Sequence, residues 1–584
     1  MLKKGENLNM LEARHIDLEI EQPGEEESLF LLRDINFCVP KGHFMAIVGP
    51  SGCGKTTLLK TIAGIKENTE GSFYWEGRDL AEEGDFEPNE IGYVPQFSIA
   101  YEELTVDENV ENAARLRVSA DEDELNELID SVLEETGLAE IADRRVAMLS
   151  GGQKRRLSLA MELVSRPKIL LCDEVTSGLD PRSEREIVEL LHDLSLRDGR
   201  IVISVTHSLA QMALYDSIMV LVRGRLAYHG EPRTMAHYFG VEGVEEVYPR
   251  LQWREPADWA ASWLKHRSDY YAALEKCYVA KFAAQGVEPP APDGDGAETE
   301  PTPGYWTQLG VMLRRRFSIL FRDRTQLLLQ LAMVVVFPVL VALFSSKGQE
   351  QLLRLTDRAG NDIAVEIQAQ QEQAEVRAKV GSAVSGIIMF EVILLGLMGS
   401  NNSASEIAGE RLIMEKEKFA GASPAAYVSS KAIYLSVLVL IQSLWMFAFV
   451  QFFWPLRGNP LNHLFYLLLA NAAMTSVCLG ISANCKTAAQ ASLLSIYLVG
   501  FQLPLSGAVL ALPDSIERLT QPFISAYWAW SGSISGLDNE VYKAVSSIVQ
   551  TAFSPAALCN GVLLAHIVAG VVLAYVGARR TRWE

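Results

Sequence analysis

Gly49-Pro50-Ser51-Gly52-Cys53-Gly54-Lys55-Thr56 is the stretch from which the rest of the chain can be read. It fits G-x-x-x-x-G-K-[ST]. Before it, Phe44-Met45-Ala46-Ile47-Val48 is short and apolar, as a buried strand is, and a helical pattern opens at Lys55. Glycines let a backbone curl closely around phosphates, and the N–H groups freed at a helix start attract the anion. In that setting Lys55 neutralises the β- and γ-phosphates of a nucleotide. The Thr56 hydroxyl helps to hold Mg2+, and Thr57 completes the loop.

Two further apolar runs extend the reading. Lys168-Ile169-Leu170-Leu171-Cys172 and Ile201-Val202-Ile203-Ser204-Val205 read as buried strands of a parallel sheet, with helical patterns between them. The first ends in Asp173-Glu174. At a strand end, Asp173 reaches the Mg2+ shell and Glu174 polarises the attacking water as a general base. The expectation is an α/β P-loop ATPase domain that uses ATP and Mg2+.

The 584-residue chain has a net charge of −21, which argues against a nucleic-acid partner. Seven cysteines show no CxxC pair and no metal-ligand spacing. The opening MLKKGENLNMLEARH lacks the apolar core of a signal peptide, so the first domain is expected in the cytosol. Ala283–Gly304 is dense in Pro, Gly and acid and reads as a linker. Trp306–Arg324 is basic and amphipathic, like a helix in the membrane interface. Six apolar stretches long enough to span a bilayer follow: Gln326–Ser345, Val380–Ser400, Ala432–Trp454, His463–Ala483, Ala491–Val509 and Leu558–Val576. Lys and Arg near their ends put both termini inside. The loop Ser346–Lys379 dissents, being external yet carrying Lys347, Arg354, Arg358, Arg377 and Lys379. The divisions are therefore 1–240 for the ATPase domain, 241–305 for a connecting segment and linker, and 306–584 for an all-α membrane domain of six spans.

Leu149-Ser150-Gly151-Gly152-Gln153 opens an amphipathic helix ahead of the Asp173 strand. With Gln96 in Gly92-Tyr93-Val94-Pro95-Gln96, Ser177-Gly178-Leu179-Asp180, and His207 after a strand, the set resembles the nucleotide-binding domain of an ABC transporter. The resemblance implies that Gln96 touches Mg2+ and the water, and that His207 contacts the γ-phosphate. It places Ser150, Gly151, Gly152 and Gln153 in the ATP site of the opposite subunit and Asp180 at the dimer seam. The adenine-stacking aromatic expected before Gly49 has only His15 and Phe30 as candidates.

The order of ATPase before membrane domain resembles the G (White/Brown) subfamily and its bacterial relatives, with an ABC-2, type V-like membrane domain. Glu255-Pro256-Ala257-Asp258-Trp259, Arg322-Asp323, Glu410-Arg411 with Glu417, Gly421, Ala426-Tyr427 and Ser430-Lys431, Leu479-Gly480-Ile481-Ser482, and Leu505-Ser506-Gly507 carry that resemblance. Two departures stand out. Ser346–Lys379 is long where the subfamily has a short turn, and suggests an external helical extension. Leu510–Ser554 lacks cysteines and N-x-[ST] sequons, which favours a bacterial relative. The resemblance implies a half-transporter in an inner membrane, paired with a second copy or a related half-transporter, exporting a hydrophobic or amphipathic cargo. The rivals are export of a polar polymer and a mechanical ATPase that moves nothing across.

Two elements of the membrane half complete the reading. Glu406–Lys418 is the expected coupling element, with Arg314–Arg316 as its partner. Glu391, midway along the second span, must face a cavity, find a partner or stay protonated. Phe390, Glu391, Gln502 and Val509 are the candidate cavity residues. Asn471, Asn560 and His566 are the other polar groups on spans, read as interhelical hydrogen bonds.

Overall fold

The computed structural model describes residues 10–21, 28–197, 199–285, 302–352, 363–508 and 512–580. The chain divides into two units. One holds Met1–Thr307, Lys416–Ala422 and Arg582–Glu584; the other holds Gln308–Glu415 and Ser423–Thr581.

In the first unit, β1 (Met10–Ile20) and β2 (Leu29–Pro40) pair antiparallel, and with β4 (Glu70–Trp75) and β5 (Arg78–Asp79) they form a sheet of order β2-β1-β4-β5. Sequence periodicity does not reveal this sheet. Alternation along β1 breaks at His15, whose φ is 50°, and the register with β2 shifts there. A second sheet runs β10-β9-β3-β8-β7-β6. Its strands are β3 (Phe44–Val48), β6 (Ile91–Val94), β7 (Ile169–Asp173), β8 (Ile201–Val205), β9 (Ser217–Val222) and β10 (Arg225–Gly230). All are parallel except β10. Strands β3, β7 and β8 are buried at every position, as their unbroken apolar runs require.

Helix α1 (Lys55–Ile62) follows β3, and α2 (Val106–Arg117), α3 (Glu122–Glu135) and α4 (Gly151–Leu163) precede β7. Thr105 with Glu108, Asp121 with Glu124, and Ser150 with Gln153 close reciprocal caps at the starts of α2, α3 and α4. Helix α5 (Pro181–Arg197) lies between β7 and β8. After β10 come α6 (Pro232–Phe239), α7 (Val247–Leu251) and α8 (Pro256–Gln285). Part of what the sequence reads as a connecting segment packs into the core of this unit through Val247, Leu251, Trp259 and Trp263. Trp259 and Trp263 of α8 are 3% and 2% exposed and pack against Tyr228 and Phe239. Helix α8 also takes in Ala283–Gln285, the first residues of the expected linker; residues 286–301 lie outside the described ones.

A buried polar chain ties α8 to the sheet. Nε2 of His43 lies 2.7 Å from Ser217 Oγ, Ser217 Oγ lies 3.3 Å from Nε2 of His229, and Nδ1 of His229 lies 3.2 Å from the Tyr271 hydroxyl. Burial, with a smaller contribution from His43, lowers His229 to about 3 from an ordinary 6.5. A histidine held neutral in the fold but protonated when unfolded stabilises above its unfolded value. That contribution is lost as pH falls from 6.5 towards 3, by about 1.4 kcal/mol per pH unit. Denaturant unfolding between neutral pH and about pH 5 is expected to show this slope, and His229→Gln to flatten it. Equal slopes in the two proteins would contradict the assignment.

The second unit is helical, beginning with α9 (Tyr305–Arg322). The spans expected from sequence are α10 (Arg324–Leu352), α11 (Ile363–Ser403), α13 (Pro424–Phe453), α14 (Pro460–Asn484), α15 (Ala488–Leu505) and α19 (Ala556–Arg580). Six helices among the described residues are long and apolar enough to cross a membrane. Helices α10 and α11 run on past their apolar parts into 346–379, to Leu352 and from Ile363. Between α11 and α13 lies α12 (Arg411–Phe419). The stretch 510–554, read as a loop, contains α16 (Asp514–Thr520), α17 (Ser525–Ser535) and α18 (Asn539–Ser546). Helix α17 is buried from Ser525 to Ile534. Its sequence, SAYWAWSGSIS, has no polar face for a period of 3.6 to reveal.

Small residues let these helices approach. A Cβ on Gly570 of α19 would lie 2.3 Å from the backbone of Ser476 on α14, and one on Gly480 would lie 2.8 Å from the Gly570 carbonyl. Helix α9 is anchored by charge as well as by its apolar face. Arg316, 5% exposed, donates to Glu406 at 2.9 Å, and Lys431 meets Glu406 at 3.0 Å and Glu410 at 2.6 Å. The expected pairing of Arg314–Arg316 with the segment from Glu406 is thus made by Arg316.

Candidate ATP site

The phosphate loop joins β3 to α1. Gly49, Gly52 and Gly54 have φ of 152°, 76° and 103°. Only glycine fits at Gly49, where a Cβ would lie 2.3 Å from the Leu221 carbonyl. Gly54 caps α1 with no side-chain hydrogen bond, so the first amides of the helix are free for an anion. Pro50 and Ser51 form the loop's crown, and Cys53 is buried beneath it. Lys55, 5% exposed, folds back so that Nζ donates to the carbonyls of Gly49 and Pro50 at 3.0 and 3.1 Å. Thr57 follows on α1, where its carbonyl accepts from the Thr61 hydroxyl.

At the end of β7, Asp173 Oδ1 accepts from the Thr56 hydroxyl at 2.9 Å and Oδ2 from the Tyr93 hydroxyl at 3.2 Å. Burial raises the Asp173 carboxyl above its ordinary value, while Thr56 and Tyr93 hold it down. A hydroxyl and a buried carboxylate in contact, beside a loop of free amides, are the oxygen donors that Mg2+ on a nucleotide requires. Thr56 and Asp173 would hold the ion, with Gln96 nearby through Glu174. Tyr93 is the contact that sequence reading passes over. It lies in the quoted Gly92–Gln96 stretch, on β6, paired in register with β7.

Glu174 lies between two groups. Gln96 Nε2 donates to Oε2 at 3.0 Å, and Nε2 of His207 is 2.6 Å from Oε1. Its backbone φ is 47°, a left-handed conformation that a glutamate adopts at a cost of about 1–3 kcal/mol. The structure thus brings Gln96, Asp173, Glu174, His207 and the Gly49–Thr56 loop together within one unit.

The Ser150–Gln153 turn stands apart. Ser150 and Gly151 are exposed, and among the described residues no hydrogen bond joins this turn to the Gly49–Thr56 loop. Met148 beside it and Phe97 beside Gln96 are exposed apolar side chains, at 76% and 74%. Asp180 caps α5, accepting from the Ser183 hydroxyl at 2.6 Å. Of the two adenine candidates, His15 meets Asp34 at 2.8 Å and Phe30 lies under the guanidinium of Arg33.

The membrane candidates divide. Phe390 is half-buried. Gln502, 2% exposed, accepts from the Ser525 hydroxyl and the Ala526 amide, and lines a cleft with Val392, Gly396, Val499 and Ser525. Glu391 is fully buried and is paired with His463 at 2.9 Å. Val509 lies outside the described residues. Asn471 bonds to Gln442 and Ser443 on α13, between helices as read from sequence; His566 instead meets the Pro522 carbonyl, in the turn before α17, and among the described residues the side-chain oxygen of Asn560 has no partner.

The fold and site define a P-loop ATPase joined to a helical domain of membrane-spanning type. Residues 32–177 match the ABC transporter family, and residues 307–528 match the ABC-2 type transporter family. The chain belongs to the ABC transporters. It is 28% identical over 528 residues to an ABC transporter ATP-binding/permease protein of Mycobacterium tuberculosis, covering 87% of this chain and 56% of that one. It is 27% identical over 368 residues to ATP-binding cassette sub-family G member 5 of Mus musculus, 56% of this chain and 54% of that one. It is 37% identical over 209 residues to the maltose/maltodextrin import ATP-binding protein MalK of Escherichia coli, 35% of this chain and 55% of that one. The chain spans a little over half the length of these relatives.

Proposed function

We propose that the chain is a half-transporter that hydrolyses ATP between two copies of itself, or between itself and a related half-transporter, to export a hydrophobic or amphipathic cargo. The observation that carries this reading is Glu174, held between Gln96 and His207 one residue after Asp173, in a chain that also has six spans. Mg2+ supplies charge neutralisation on the phosphates when bound. Lys55 leaves the carbonyls of Gly49 and Pro50 to meet phosphate oxygens. Glu174 Oε accepts the proton of the attacking water, and Gln96 and His207 fix its direction.

The exposed Ser150–Gln153 turn completes the site of the opposite copy. Ser150 and the amides of Gly151 and Gly152 face its nucleotide, with Asp180 at the seam. Lys and Arg at the span ends support an inner-membrane protein whose ATPase unit and termini are cytoplasmic. The cargo class rests on the likeness to the G subfamily. Purified protein in liposomes, offered lipids, a sterol and drug-like amphiphiles, tests it. ATP turnover stimulated by one of these together with its ATP-driven movement supports export. Turnover without movement of any of them favours the mechanical reading.

A further inference from the structure

We propose that Glu391 and His463 form a proton-binding site within the membrane unit, whose occupancy changes when nucleotide drives the transport cycle. The inference rests on the half-transporter reading above.

The pair joins two spans. Glu391 of α11 is fully buried, and its Oε2 lies 2.9 Å from Nε2 of His463 on α14, itself 6% exposed. Apolar side chains flank it one helical turn away: Ile388 and Leu395 on α11 and Leu467 on α14, with Phe447 beside the imidazole. Among the described residues, Oε1 of Glu391 and Nδ1 of His463 have no hydrogen-bond partner. A buried polar atom without a partner costs free energy that a purely structural pair has no reason to bear.

Among the described residues, the pair's one recorded ion-pair contact is with each other; on α19, which packs on α14, His566 meets the Pro522 carbonyl, and Arg579 and Arg580 lie at the far end of the helix. The helices packed against α11 are α10, α13, α14, α15, α17 and α18. Their charged residues are Arg324, Lys347 and Glu350 on α10, Lys431 on α13, and Glu540 and Lys543 on α18. Lys431 is taken by Glu406 and Glu410, and Glu540 and Lys543 are exposed. On α11 itself, Glu375, Arg377 and Lys379 lie three turns or more from Glu391. Tyr466 and Tyr527, the nearest phenols on α14 and α17, donate to the carbonyls of Ala556 and Ala552.

Proton counting follows from this isolation. With one proton the pair is neutral overall, whether written as carboxyl and imidazole or as carboxylate and imidazolium. Removing that proton leaves a lone buried carboxylate; adding another leaves a lone buried imidazolium. Both are penalised in an apolar interior. The buried pair therefore holds one proton, and a conformation that lets water reach the pair removes the penalty on a lone charge that keeps the proton there.

The test uses the full chain in lipid nanodiscs carrying Glu174→Gln, so that MgATP drives closure without the protons that hydrolysis releases. In weakly buffered solution near about pH 8, an indicator dye records protons on addition of MgATP. The expected change is about one proton per chain, lost when Glu391→Gln or His463→Gln is added. Either variant suffices should the other fail to fold. An equal change in all three proteins overturns the proposal. So does no change in Glu174→Gln protein that cross-linking shows to have closed. Absence of closure with MgATP would overturn the half-transporter reading, and this proposal with it.

Discussion

Glu174→Gln is expected to bind MgATP normally and to hydrolyse it about 10²–10⁴ times more slowly than the parent, the usual contribution of a positioned general base. Glutamine keeps the length of the side chain and an oxygen that can accept from Gln96 Nε2, as the carboxylate does at 3.0 Å. It cannot accept a proton from water. The left-handed backbone at residue 174 needs no change, so folding should survive. Phosphate release and nucleotide affinity, measured together, separate lost chemistry from lost binding. A turnover within a few-fold of the parent would remove Glu174 from its role.

The second large effect concerns stability. Glu162 of α4 is 2% exposed and lies between Arg117 at 2.8 Å and Lys416 at 2.9 Å, which are 5% and 2% exposed. Burial alone would raise its carboxyl, but Arg117 and Lys416 outweigh burial and bring it to about 2. A carboxylate with a depressed folded value stabilises above its unfolded value and loses that contribution as pH falls through the folded one. The contribution is therefore complete at neutral pH. Glu162→Ala leaves two buried cations facing each other and is expected to cost about 3–5 kcal/mol. Removing Lys416 as well should recover part of the loss, because the repulsion goes with it. Denaturant unfolding at neutral pH measures both. A loss below about 1 kcal/mol for Glu162→Ala would show that the cluster is hydrated rather than buried. Lys416 comes from the sequence between the second and third spans, yet Lys416–Ala422 belongs to the ATPase unit.

How much of this was legible depended on the range over which the signal acts. The Gly49–Thr56 loop, the buried β7 and the Ser150 turn announce themselves within a few residues, because a phosphate cradle, a buried strand and a helix cap are local devices. The six spans were legible for the same reason: apolar length is written in one stretch. Tyr93 on Asp173 was not, since a hydroxyl across two neighbouring strands depends on register. Glu162 was not, because its partners lie 45 residues before it and 254 after it in sequence. His463 as the partner of Glu391 and the burial of α17 were hidden likewise. Both follow from helix packing, and SAYWAWSGSIS has no polar stripe to show which way it faces.

The central claim is that each nucleotide is held by the Lys55 loop of one copy and the Ser150 turn of the other. Mixed dimers test it most directly. Chains carrying Lys55→Ala and chains carrying Gly152→Asp are each expected to be inactive alone. A dimer of one of each, isolated through two different tags, concentrates both lesions in one site and leaves the other intact. The account predicts that MgATP hydrolysis returns in that mixed dimer. Mixed dimers as inactive as either parent would contradict it.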